Sequence, residues 1–413
     1  MAPTLFTAFR NKRILVTLLL GFSSGLPLPL VWGTLKGWLA SEGVNLKTIG
    51  LFSLVMLPYS LKFLWAPLID RYVPPFLNRR TGWMVISQSL LLVTFFFMGM
   101  VDPVKQTLLL ACFGLWGAFL SATQDIVIDA YRAELLLPGE LGPGAAVAVT
   151  GARIGLLTSG ALAFILADFA SWRIVYILMG SLMSVGMITA FFAPTPLNEP
   201  KPPKSLNDAL IAPFQVFFRH PRAVEILIFI FIFKLGDVFA GEMLTPFLIK
   251  TGFSKSVIGA VNKGLGMTMT IVGSLIGGGI VSRLGIWGGL MLFGCLQPIS
   301  NLSFVVLAKM GQSYPMLVTA IGIENFCTGL STAAFVAFLM NLCDKRYTAT
   351  QYALLSSLMA VSRPFVGMVT GLLAELLGWP GYFTLSALLA IPGLLLLFTF
   401  RKSSFETVET SNP

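Results

Sequence analysis

The sequence predicts an all-α integral membrane protein of twelve transmembrane helices, arranged as two pseudo-symmetric six-helix bundles. Three observations predict it. The first is composition: the 413 residues are 56% hydrophobic and 11% charged, with a mean hydropathy of +0.84, where a soluble domain carries about 25% charged residues. Such a chain cannot clothe a soluble fold of this size. The second is the recurrence of apolar runs of roughly 20 residues, the length a helix needs to cross ~30 Å of hydrocarbon. The alternation over ~10 residues that marks an outer-membrane barrel is absent. The third is an internal repeat. WLASEGVNLKTIG, from Trp38 to Gly50, matches FLIKTGFSKSVIG, from Phe247 to Gly259, at an offset of 209 residues. Ser121 to Arg153 is echoed by Ser331 to Arg363 at nearly the same offset. Two matches in register at the half-length of the chain imply a duplicated six-helix unit.

In chain order, the crossings are expected to begin near Ile14, Thr48, Trp83, Thr107, Ala145, Ile174, Ala223, Val257, Ile286, Tyr314, Thr350 and Tyr382. Lysines and arginines of the short loops set the orientation. With a cytoplasmic N-terminus, sixteen fall inside, among them Arg71, Arg79, Arg80 and Arg132, against six outside (Lys47, Lys105, Arg173, Lys250, Lys255 and Lys309), so both termini are expected in the cytoplasm. The first apolar run follows RNKR and has no small-residue cleavage pattern, so no removable signal peptide is expected. Residues 1–194 form the expected N-terminal bundle, 195–222 a cytoplasmic linker and 223–413 the C-terminal bundle. The prolines of APTPLNEPKPPKSLND suit an extended connector leading into a short interfacial helix.

Several function classes are excluded. The net charge of +10 is scattered over short loops and is no nucleic-acid signature. Cys112, Cys295, Cys327 and Cys343 lack paired spacing, and His220 is the only histidine, which gives no metal centre, disulfide frame or cofactor site. There is no P-loop, HExxH or GxSxG, so neither ATP hydrolysis nor another enzyme activity is expected. Uphill transport by such a chain, expected to be a monomer, would draw on an ion gradient.

Charges within the spans are the functional signal, because each costs about 2.5–3.5 kcal/mol at a span centre. The bases are Lys36, Lys62, Arg153, Lys234, Lys263 and Arg363; the acids are Asp125, Asp129, Asp237, Glu242 and Glu324. Lys234 lies roughly 16 Å into span seven and Glu324 at a similar depth in span ten, both near the midplane. Asp125 and Asp129 share one side of span four with Ser121 and Arg132. Asp129 is expected to pair with Arg132, and Asp125 to handle substrate or protons; a static polar network through Arg153 is the competing account. Lys234 and Asp237, three residues apart, either neutralise each other or divide substrate and proton duties. Glu324 has no local cation and suits a proton carrier, with Asp125 and Asp237 as companions. Gln124, Asn262 and Asn325 offer amides, Trp32 an aromatic face, and Lys234, Lys263 and Arg153 cations for an anionic cargo. Lys62 is read as snorkelling toward the interface or lining the cavity, and Trp38 as stacking on a sugar ring or anchoring at the interface.

APLIDR, from Ala66 to Arg71, followed by Arg79 and Arg80, resembles the G-x-L-x-D-R loop motif of the major facilitator superfamily; its counterpart GGGIVSRLG is degenerate. In that fold, spans one, four, seven and ten line the central cavity. Asp70 and Arg71, with Asp129 and Arg132, then form an expected conformational latch on the cytoplasmic side. GFSSGLPLPL, KFLWAPLIDRY, SATQDIVIDAYR, FKLGD, VNKGLG and IENFCTGLSTAAFVAFLMNLC, spread from Arg13 to about Arg401, resemble the AmpG-type muropeptide permeases of Gram-negative inner membranes. The resemblance implies proton-driven import of GlcNAc–1,6-anhydro-MurNAc, with or without peptide, from periplasm to cytoplasm, which serves wall recycling and bears on β-lactam resistance. It also implies functional positions at Gly25, Ala122, Gln124 and Asp125. Two alternatives are another anionic cargo, such as an acetyl-CoA-type ester, and a membrane sensor that moves nothing.

Overall fold

The computed structural model describes residues 11–44, 48, 52–196, 202–203, 205–220 and 222–400, without the side chains of a few helical residues, Lys255, Lys263 and Arg363 among them. Of the loop cations, Lys47 lies outside the described residues. The described chain is helical, with no strand. Span one is Lys12–Ser41, span three Arg79–Met100, span four Thr107–Leu135, span five Pro138–Ala167 and span six Trp172–Phe192. Span two, residues 52–71, is a chain of short helical pieces. A separate helix, Leu206–Phe218, stands between the halves. Span seven is broken into Ala223–Phe233 and Leu235–Lys250. Gly259–Met310 is two crossings that part at Gly285 (φ 75°), and Thr348–Leu388 parts likewise at Gly378 (φ 65°), left-handed turns that glycine takes without a side-chain clash. Span ten is Tyr314–Leu342, and span twelve ends with Ile391–Thr399.

Each crossing begins within a few residues of its expected start. The largest difference is span five, whose PGELGPG stretch reads as a turn but is already helical from Pro138, a residue suited to the first helical turn. Irregular backbone recurs in register. Span one breaks at Leu26 and Trp32, and span seven breaks at Lys234, the position 209 residues after Gly25. The 3₁₀ segment Phe52–Met56 of span two corresponds to the π-helical Gly259–Leu265 of span eight. Discontinuous helices at matching positions of the two halves mark where a transporter places its cargo site.

Glycines set the tightest helix contacts, as expected where lipid removes any hydrophobic drive between helices. A Cβ on Gly151 would lie 2.2 Å from the Leu18 carbonyl, and one on Gly155 2.3 Å from the Phe22 carbonyl, so spans one and five pack backbone to backbone. Spans eight and ten are zipped the same way by Gly273 against Phe326 and Gly329 against Thr270.

The cores reveal how the halves meet. Near the end that carries Arg79 and Arg80, one core joins Ile14, Leu141 and Val147 of the first half to Phe229, Val281 and Phe338 of the second. A second core at that end joins Ile128 and Tyr131 to Ala349 and Ala353. At the opposite end, Leu35, Phe95 and Tyr176 belong to a core made of first-half residues alone, and Phe247, Phe304 and Phe383 to one made of second-half residues alone. The bundles are therefore fused at the basic end and packed separately at the other. The fused seam includes Gly142 against the Gly278 carbonyl and a 3.5 Å contact between the Thr150 and Ser274 hydroxyls.

Gly151→Val pushes a branched side chain into the span-one backbone, an overpacking that costs about 1–3 kcal/mol. We expect a lower melting temperature for the purified variant; wild-type melting would show that the close contact does not matter.

Candidate substrate-translocation site

The first half-site is built on spans one, two and four. Asp125 and Asp129 are the partly accessible positions of a stretch whose other residues, Ser121 to Ile128, are buried. Asp125 accepts a hydrogen bond from Ser24 Oγ at 2.6 Å, and Lys62 and Arg132 both act on it electrostatically. Lys62 is thus beside the carboxylate in the bundle, not extended to the interface. Tyr59 donates to Ser121 Oγ at 2.7 Å and Trp65 Nε1 to Thr123 Oγ1 at 3.0 Å, which fixes span two against span four. Asp125, Ser121 and Thr123 of span four thus each find a partner on a neighbouring span.

The second half-site lies on spans seven, nine and ten. Lys234 occupies the break in span seven, with non-helical dihedrals (φ −95°, ψ 2°). Its ammonium donates to Asp237 Oδ2 at 3.1 Å and to Thr332 Oγ1 at 3.5 Å. Glu324 accepts from Thr328 Oγ1 at 3.0 Å, and Gln297 Nε2 donates to the same hydroxyl at 3.3 Å. Asp237 and Lys234 both act electrostatically on Glu324. Lys234, Asp237 and Glu324 therefore form one group of two carboxylates and one ammonium, all partly accessible.

At the basic end a third cluster ties the bundles together. Asp70, fully buried, accepts from Arg80 Nη2 at 2.7 Å, from the Thr350 backbone N–H at 2.8 Å and from Thr350 Oγ1 at 2.7 Å. Thr350 lies in the first turn of span eleven, so the carboxylate faces a helix N-terminus, where negative charge is stabilised. Glu134 of span four accepts from Arg80 Nε at 3.0 Å and from Arg79 Nη2 at 3.3 Å. Two acids and two arginines, all buried, compensate one another.

Several expected positions need correction. Gly25 is a packing residue: a Cβ there would meet the Ala152 carbonyl at 2.1 Å. Ala122 and Gln124 are fully buried, and Gln124 Nε2 donates to the Ser23 carbonyl at 2.8 Å. Gly25 and Gln124 hold span one against spans five and four, and with Ala122 fully buried none of the three presents a side chain to cargo in this conformation. Asn325 is committed to the Ile321 carbonyl at 2.9 Å and to Thr270 Oγ1 at 3.3 Å. Arg71 is not in the latch; its guanidinium lies over the Tyr72 ring. Arg79 and Arg80 are not free loop charges but buried members of the first turn of span three. Asp129 and Arg132 do pair as expected, both on the helix of span four, and Arg132 also acts on Tyr352 of span eleven. Trp38 is buried, with its ring 6.2 Å from Trp172 and 4.9 Å from Tyr176, and anchors no interface.

Other expected positions remain accessible. Trp32 is 42% exposed, with the Lys36 ammonium 5.3 Å from its ring. Asn262 is half-buried on the π-helical segment, and Arg153 is half-buried on span five. The side chain of Lys263 lies outside the described residues. Sequence reasoning missed Glu134, Thr350, Ser24, Thr328 and Gln297. One signal was available: Gln88 and Gln297 stand 209 residues apart, the repeat offset.

Two six-helix bundles, fused at one end and carrying half-buried ionisable groups on facing spans, define a membrane transporter of the secondary class. The Major Facilitator Superfamily model matches residues 13–308. The chain is similar to the anhydromuropeptide permease of Escherichia coli K12, with 44% identity across 98% of this chain and 82% of that one. It is also similar to a Rickettsia felis protein described as putative transporter AmpG 4, with 33% identity across 95% and 98% of the two chains. Among solved structures, the proton:xylose symporter XylE superposes with a TM-score of 0.72 at 10% identity, over 96% of this chain and 97% of that one. The chain belongs to the Major Facilitator Superfamily and, within it, to the family of the anhydromuropeptide permeases. Its relatives are named as permeases and transporters, not as enzymes.

Glu134→Ala leaves Arg79 and Arg80 with a single carboxylate, and breaking a buried pair in this way costs roughly 3–5 kcal/mol. The expected readout is a marked drop in thermal stability of the purified variant; an unchanged melting curve would show that the cluster is not energetically coupled.

Proposed function

We propose that the protein is a proton-coupled inner-membrane importer of anhydro-muropeptides, moving GlcNAc–1,6-anhydro-MurNAc, with or without peptide, from periplasm to cytoplasm by alternating access. The observation that carries the reading is the placement of Asp125, Lys234, Asp237 and Glu324, half-buried on the spans that face one another across the two bundles. The 44% identity to the Escherichia coli anhydromuropeptide permease supports the identity of the cargo. Residues 1–194 and 223–413 act as the rocking units and 195–222 as their cytoplasmic connector.

The excess of lysine and arginine puts the fused end in the cytoplasm. On that orientation the structure is outward-facing, with Asp70, Arg80, Glu134 and Thr350 closing the cytoplasmic door. Cargo then enters where the outer cores are separate. Its carboxylates meet Lys234 or Arg153, its sugar rings meet Trp32, and its hydroxyls and amides meet Asn262. Asp125, Asp237 and Glu324 are the groups offered for protons. An acetyl-CoA-type ester fits less well, because its phosphates want a dense basic cluster, while Lys62 and Lys234 each stand beside a carboxylate.

The test is uptake of labelled GlcNAc–1,6-anhydro-MurNAc into right-side-out vesicles with acid outside. Accumulation that collapses on addition of a protonophore is expected, and uptake indifferent to it would remove the coupling. Asp125→Asn and Glu324→Gln should each abolish accumulation while the folded protein stays in the membrane. Undiminished accumulation in both variants would reject these two carboxylates as proton carriers.

A further inference from the structure

We infer that Asp237 is a resident stand-in for the cargo carboxylate: the cargo displaces it from Lys234, and the freed side chain takes up a proton. This rests on the cargo proposed above. Leu235–Lys250 starts afresh beyond Lys234, so the positive end of its helix dipole lies at the break in span seven. Lys234 sits at that break, so cation and helix terminus together make an anion site at mid-depth. The anion present is Asp237, from the first turn of the same helix.

Asp237 is held chiefly through Oδ2, which bonds to Lys234 at 3.1 Å; Gln297 is a weaker second donor to the carboxylate, whose Oδ1 has no close hydrogen-bond partner. A buried carboxylate oxygen left unpaired is costly, so the resident pair is weaker than a fully satisfied one. Gln297, 4% exposed, brings its amide beside the same carboxylate from span nine, and gives Asp237 a neutral group to turn to. Thr332 Oγ1, 3.5 Å from Lys234, lies on the span-ten side of the ammonium.

The charge balance supplies the coupling. The titratable groups around Asp237 are Lys234 on its own span and Glu324 and the buried Cys327 thiol from span ten; span nine contributes the neutral Gln297, and span twelve packs here through Ser386 and Ala390. When a cargo carboxylate takes Lys234, one negative charge has entered the group. Asp237, deprived of its cation and close to Glu324, recovers neutrality by binding a proton from outer water at its freed carboxylate. Cargo anion and proton thus enter together, and the net charge of the group is the same before and after.

The experiment uses purified full-length protein in weakly buffered detergent. The probes are GlcNAc–1,6-anhydro-MurNAc and its analogue with the lactyl carboxylate converted to a carboxamide. Wild type is expected to prefer the carboxylate by roughly tenfold or more, the range of a charged hydrogen bond. It should take up a proton, seen with an indicator dye, for each carboxylate bound and none with the amide. Lys234→Gln should erase the preference. Asp237→Asn, which keeps the shape and removes the competing charge, should bind the carboxylate at least as tightly and without proton uptake. A preference retained in Lys234→Gln, or proton uptake retained in Asp237→Asn, overturns the inference and leaves the proposed cargo standing. Wild-type protein that binds neither compound overturns both.

Discussion

The structure depends on one constraint: an ionised group in the hydrocarbon layer must find its counter-charge within the protein. The cost of failing is several kcal/mol per group, comparable with the whole stability of many domains. Asp70, Arg79, Arg80 and Glu134 meet the constraint in charge, with every member buried and two arginines set against two acids. Lys234, Asp237 and Glu324 meet it incompletely, with two acids for one base and a carboxylate oxygen left unbonded. The first arrangement suits a lock, because any movement that separates it exposes bare charge. The second suits a site that accepts a further cation or exchanges an anion, because its balance is already open.

The apolar packing distributes rigidity in the same sense. Glycine contacts weld span one to span five and span eight to span ten, with backbone atoms too close for any side chain between them. Such pairs move as units. The breaks at Leu26, Trp32 and Lys234 lie inside spans and give each bundle a bend at the depth of its polar groups. Two cores cross between the halves at the basic end, and the other two stay within their own halves. Rocking about the seam then requires the shared cores and the Asp70 cap to part, while the separate cores persist.

Most of the architecture was legible in the sequence because the membrane leaves few choices. Apolar runs of one length, cations sorted by loop and a repeat at 209 residues determine the crossings and their pairing into halves. The spans that carry the polar groups were legible for the same reason. What the sequence concealed was which neighbour each polar group would find. Glu134 reads as a loop acid in YRAELLL, yet the helix continues through it and brings it to Arg80. Gln124 reads as an amide for cargo, yet it faces span one and not the cavity, since neighbouring positions on a helix point about 100° apart. Asp125, one residue on, is partly accessible for that reason. Periodicity gives a face; only packing says what the face meets.

The two halves share a scaffold but not a chemistry. At the repeat offset, Gln88 stands opposite Gln297, and the break at Leu26 beside the break at Lys234, so the backbone plan was kept through duplication. Lys234 itself, however, corresponds to Gly25, where the first half needs an absent side chain to bring spans one and five together. One position cannot serve both ends, since a lysine at Gly25 would collide with the Ala152 backbone and a glycine at Lys234 would leave Asp237 without its cation. The first half therefore spends that site on close packing and carries its ionisable groups on spans two and four, where Lys62 acts on Asp125 electrostatically. The second half opens the same site and loads it with charge. At mid-depth, then, the first bundle packs backbone against backbone where the second carries an ammonium, and that division traces to glycine against lysine at one repeat position.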